Sequence, residues 1–107
     1  MQRREAMIMR VTWGKILPGK WDQYEKLWNQ MAADTKSTKG LKGRVLLKDT
    51  SYSDAGYSLS IWESNRDFEN YIKSHPISKE MQDCFVGQYI TTVCEVRGSE
   101  LPGLKLS

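Results

Sequence analysis

The sequence predicts an α+β domain of order β-α-β-β-α-β, the split-βαβ arrangement with an antiparallel sheet. Three observations predict it. Hydrophobic side chains recur with a period of two, then of three to four, then of two again, and this alternation occurs twice along 107 residues. Gly, Pro, Ser and Asp cluster at the boundaries between those segments. The length suits a single domain, 1–107, with a core at 7–97 and a tail at 98–107.

Residues 7–17 (MIMRVTWGKIL) predict the first strand, ending at Pro18-Gly19. Met7, Met9, Val11 and Trp13 lie on one face, Ile8 and Thr12 on the other, so both faces are apolar enough to need cover. Residues 20–38 take helical spacing through Trp21, Tyr24, Leu27, Trp28, Met31, Ala32 and Thr35, with Gly40 as the stop. Residues 43–50 and 57–63 predict two strands, and the short link through Tyr52–Gly56 makes them a hairpin. Ser64 and Asp67 have the spacing of a capping box, so a second helix follows with Phe68, Tyr71 and Ile72 on one face. Pro76 interrupts it, since its ring nitrogen has no proton to donate. Helix resumes over 77–86 and stops at Gly87, and 88–97 (QYITTVCEVR) form the last strand. In this topology the helices cover one sheet face. The bare face is apolar, which predicts association with a second copy.

Charge and composition exclude several function classes. Sixteen Lys and Arg against thirteen Asp and Glu give a net charge of +3, and the basic residues are interspersed apart from Arg3–Arg4. A nucleic-acid surface needs a clustered basic footprint, so no nucleic-acid partner is expected. No apolar run reaches the ~20 residues that span a bilayer, and the apolar start is too short for a signal peptide, so a cytoplasmic protein off the membrane is expected. Cys84 and Cys94 form no CxxC and have no neighbouring His, which argues against zinc and for two buried thiols.

Two motifs fail on inspection. Gly14–Lys20 has phosphate-loop spacing, but Trp21 stands where Ser or Thr would hold magnesium, and Pro18 removes a cradling N–H. Tyr57 and Trp62 have opposite strand parity, so the hairpin strand offers no platform for stacking RNA bases. Two features survive. Trp28, Trp62 and Tyr71 fall between helices and sheet, either as plain core or as a flat apolar slot for an aromatic ligand. His75, the only histidine, sits at the break in the second helical region, either as an exposed helix end or as a proton acceptor at a pocket mouth.

Lys15-Ile-Leu-Pro-Gly-Lys20, Ser60-Ile-Trp-Glu-Ser64 running into Asn65-Arg-Asp-Phe68, and Ser74-His-Pro76 resemble the antibiotic biosynthesis monooxygenase family over residues 7–97. The resemblance implies a ferredoxin-like dimeric α/β barrel: two sheets face each other, and a pocket lies between each sheet and its own helices. It also implies cofactor-independent oxygenation of a small aromatic or quinone-type molecule, with no metal or flavin. Trp28, Trp62 and Tyr71 would then line the pocket, His75 would accept the proton and Thr12 would be a polar contact. One branch of the family degrades haem with an Asn on the first strand and a Trp and a His on the second helix. The matching positions here are Thr12, Tyr71 and Met81, and His75 falls too early, which argues against that chemistry. Two alternatives remain: a non-catalytic binding or stress-related module, its pocket plugged by its own Trp and Met side chains, and haem binding or degradation, with binding through a different ligand still open.

Overall fold

The computed structural model describes residues 6–52 and 54–102. Seven elements follow in order: β1 Ile8–Lys15, α1 Trp21–Asp34, β2 Leu41–Lys48, β3 Ala55–Trp62, α2 Asn65–Ser74, α3 Lys79–Gln82 and β4 Ile90–Glu95. The strands form one sheet in the order β2-β3-β1-β4, with every neighbouring pair antiparallel. This is the ferredoxin-like α+β fold that the alternation of periods predicts.

Strand parity separates the two sheet faces. On β1, Ile8, Thr12 and Gly14 are buried toward the helices, and Ile16 just beyond continues the series. On β3 the same face carries Ser58, Ser60 and Trp62. The core sits here, where Ile16, Tyr24, Trp28, Met81 and Cys84 form one buried cluster between α1, α3 and the sheet. The opposite face carries Met9, Val11 and Trp13 in register with Tyr57, Leu59 and Ile61. Val45, Leu47 and Ile90 share that face and are 44%, 43% and 61% exposed, so nothing among the described residues covers it.

Several boundaries differ from the sequence expectation. The first helix stops at Asp34 rather than 38. The Thr35 hydroxyl and amide both donate to the Met31 carbonyl (2.7 and 3.1 Å), which ends the ladder. Gly40 turns the chain into β2 with φ +83, and a Cβ there would collide with the Asp67 side chain. The helix expected over 77–86 is only the single turn α3, capped by Ser78 accepting from the Met81 amide. Beyond it the backbone pairs with the end of β1 instead: Leu17 N–H donates to Cys84 (2.8 Å) and Val86 N–H to Lys15 (2.7 Å). The last strand is shorter than 88–97 and fully exposed, because it is the sheet edge that the helices do not reach. Cys84 is buried as expected, but Cys94 is exposed on the bare face opposite Met9, so the expectation of two buried thiols fails for it. Of the tail leucines, Leu101 is exposed, whereas Leu104 and Leu106 lie outside the described residues.

Candidate functional site

A cavity of about 610 Å³ opens between the sheet and helices α1 and α2. Its size is that of a small-molecule site. Each wall follows from the local fold. The N-cap at Ser64, whose Oγ accepts from the Asp67 amide at 3.2 Å, starts α2 and places Phe68, Tyr71 and Ile72 toward the sheet at helical spacing. Leu27 and Met31 on α1 form the facing wall. Pro76 ends α2, so His75 turns out of helical geometry at the cavity edge.

The aromatic wall is continuous. Trp62 is 1% exposed, with its ring 5.2 Å from Tyr71 and 5.7 Å from Phe68. Tyr71 in turn stacks on His75 at 4.8 Å with planes 9° apart. The Tyr71 hydroxyl donates to the Met31 sulfur at 3.7 Å, which ties α2 to α1 across the cavity. His75 Nδ1 lies 3.3 Å from the Tyr71 carbonyl. A proton on Nδ1 there leaves the lone pair on Nε2, the form of imidazole that accepts a proton.

The floor is polar and cationic. Arg10 on β1 and Arg44 on β2 both pair across the sheet with Ser60 on β3, so the three form one row on the helix-facing side. The Trp62 indole donates to Ser60 Oγ at 2.9 Å, and the Trp28 indole donates to Ser58 Oγ at 2.9 Å. Both serines line the cavity. With an oxygen lone pair so engaged, each serine keeps its own proton to donate. Arg10 lies over the Phe68 ring at 5.1 Å and Arg44 over the Tyr71 ring at 5.4 Å. Burial pulls both guanidiniums below their usual range, partly offset by nearby tyrosines, chiefly Tyr89 for Arg10 and Tyr71 for Arg44. The ion pairs among the described residues are Lys42–Glu63, Lys79–Asp83 and Arg97–Glu95, none involving either arginine. Arg10 Nε is buried and has no hydrogen-bond partner.

The structure thus brings Trp62, Tyr71 and His75 together on the cavity. Trp28 stands behind the lining and reaches it through Ser58. Thr12 lies off the cavity: it is buried, with Oγ1 3.1 Å from Thr91 Oγ1. Sequence reasoning missed Arg10 and Arg44. The signal was available, because Arg10 shares the inward parity of Ile8 and Thr12, and Arg44 that of Leu46. A charge at such a position must have a partner or a purpose.

No protein-family model matches the sequence, and no curated protein matches it. Solved structures do match. The cofactor-independent oxygenase SnoaB from Streptomyces nogalater superposes with TM-score 0.76 at 10% identity, covering 89% of this chain and 97% of its own. This chain shares that fold. A Caulobacter crescentus protein provisionally described as an antibiotic biosynthesis monooxygenase gives TM-score 0.75 at 19% identity, covering 88% and 92%. A haem-degrading protein from Mycobacterium tuberculosis gives 0.70 at 16% identity, covering 89% and 96%. Identities this low establish the shared fold and leave the chemistry to the site. Among the described residues, no helix is long and apolar enough to cross a membrane.

Proposed function

We propose that the cavity binds a planar aromatic or quinone-type small molecule and that the chain oxygenates it without a cofactor. The observation that carries this reading is the continuous Trp62–Tyr71–His75 wall standing over a floor of two guanidiniums that form no ion pair among the described residues. The wall supplies an apolar surface of rings tilted 42° and 63° to one another, and His75 supplies a base at its edge. The floor stabilises the anion that deprotonation creates.

The chemistry balances with oxygen as the only oxidant. His75 Nε2 takes a proton from an activated ring CH₂, leaving a delocalised carbanion whose negative charge rests mainly on oxygen. That anion gives one electron to O₂, and the resulting radical and superoxide join as a carbon-bound peroxide. Loss of water from the peroxide leaves a carbonyl, so CH₂ and O₂ become C=O and H₂O. Metal-stripped protein should therefore consume oxygen with a hydroxyanthrone-type substrate, and His75→Ala should slow it by roughly 10²-fold or more. Unchanged turnover in that variant would remove His75 from the mechanism.

Two further observations bear on the reading. The open cavity argues against a module whose pocket is filled by its own side chains. The haem-degrading residue set does not fit: Thr12 is engaged with Thr91 off the cavity, and the two matched positions that line it carry Tyr71 and Met81 in place of Trp and His. The bare apolar sheet face supports pairing with a second copy, sheet against sheet, which leaves the cavity on the helix side free.

A further inference from the structure

We propose that the ligand carries a carboxylate, held on the Arg10–Ser60–Arg44 row while its ring packs against the cavity lining of Leu27, Tyr71 and Ile72. The proposal rests on the reading of the cavity as a ligand site and adds what that site selects.

Three observations point to an anionic group. The row is set by sheet register, since Ser60 of the central strand β3 has Arg10 opposite it on one side and Arg44 on the other. Adjacent strands lie ~4.8 Å apart, so the two arginine backbones are separated by about 10 Å, and their long side chains can converge on one group between them. Every polar group of the row has a proton to give. A guanidinium can only donate, and the Ser60 oxygen is already engaged by the Trp62 indole. Finally, no carboxylate among the described residues pairs with either arginine. The acidic side chains that line the cavity, Asp34 and Glu80, are both exposed and pair with neither arginine, and Arg10 Nε is buried without a partner. Half-burying two like charges without a counter-ion is unfavourable for the fold alone. A bound carboxylate would supply the missing counter-charge, and its two oxygens match the planar fork of a guanidinium.

The structure favours a carboxylate on an aromatic body over a free small anion. The cavity is much larger than a carboxylate, and its walls are the rings of Trp62, Phe68 and Tyr71.

The test is a binding titration with two probes of one shape, anthraquinone-2-carboxylate and anthraquinone-2-carboxamide, followed by calorimetry. The wild-type chain should bind the carboxylate roughly 10- to 100-fold more tightly than the amide. Arg10→Met and Arg44→Met should each abolish most of that preference, lowering carboxylate affinity far more than amide affinity. Retained amide binding also shows that each variant is folded, and if one variant binds neither probe the other decides. Equal affinity of the wild-type chain for both probes would overturn the carboxylate proposal and leave the cavity reading standing. A preference that survives in both variants would also overturn it. Binding of neither probe by the wild-type chain would overturn the proposal together with the reading it rests on.

Discussion

Replacing Arg10 with Met asks whether the cavity floor serves a ligand at the expense of the fold. In the structure Arg10 Nε is buried without a hydrogen-bond partner, and burial opposes the charge. Leaving a buried polar group unsatisfied costs about 1–3 kcal/mol. What Arg10 contributes is its stack on Phe68 at 5.1 Å, about 0.5–1 kcal/mol for a partly solvated pair. Methionine keeps the apolar stem and most of the volume while removing the charge. The difference predicts a variant more stable by about 1 kcal/mol. At ~2.1 cal/mol/K per residue, a chain of 107 residues has an unfolding entropy near 0.22 kcal/mol/K, so Tm should rise by about 4–5 °C. The pH offers no easier route to the same relief. A cation whose folded pKa is lowered opposes folding at every pH below that value, which for a guanidinium includes the whole working range. Thermal melts by circular dichroism, with urea titration as a second probe, give the sign directly. A loss of 2 kcal/mol or more would refute the reasoning, since it would mean that the guanidinium has structural partners worth more than its burial costs.

Burial, with the neighbouring Cys84, pushes the Tyr24 phenol up to about 12 from 10.0, against a smaller opposing effect of Arg10. The folded state therefore keeps a proton that the unfolded chain releases, a contribution fully present below pH 10 and lost between pH 10 and about 12. Alkaline unfolding should be steeper for the wild type than for Tyr24→Phe by about 1.4 kcal/mol per pH unit over that window, measured by urea titration at several pH values. Trp28→Phe removes the 2.9 Å bond to Ser58 and opens space in the core, so it should cost about 2–3 kcal/mol by the same titration. Leu59 lies at the centre of the bare face, between Val11 and Val45 in register, and Leu59→Asp should convert a dimer to a monomer in sedimentation while leaving probe binding on the helix side unchanged.

The fold was readable because parity and helical spacing are local properties of the chain. The two faces of β1, the Ser64 cap and the break at Pro76 all stand where residue pattern alone puts them. The mistaken boundaries have a different origin. Cys84–Val86 leave helical spacing because their backbone finds partners on Leu17 and Lys15, a contact across about two thirds of the sequence that no local window contains. Of the site, Trp62, Tyr71 and His75 were legible as an aromatic set beside a helix break. The pairing of Arg10 and Arg44 through Ser60 was not, because it depends on the register of three strands. Thr12 shows the converse. Its parity is right, but its position along β1 carries it past the cavity to Thr91 on the edge strand.

The central claim is that this cavity inserts oxygen into an aromatic ligand using the ligand's own electrons. The most direct measurement is a single-turnover reaction of metal-stripped protein with a hydroxyanthrone under ¹⁸O₂, analysed by mass spectrometry of the product. The account predicts one ¹⁸O atom in the new carbonyl, one O₂ consumed per product, water rather than hydrogen peroxide as the second product, and strong slowing in His75→Ala. An unlabelled product, or hydrogen peroxide formed in equal amount to it, would contradict the account.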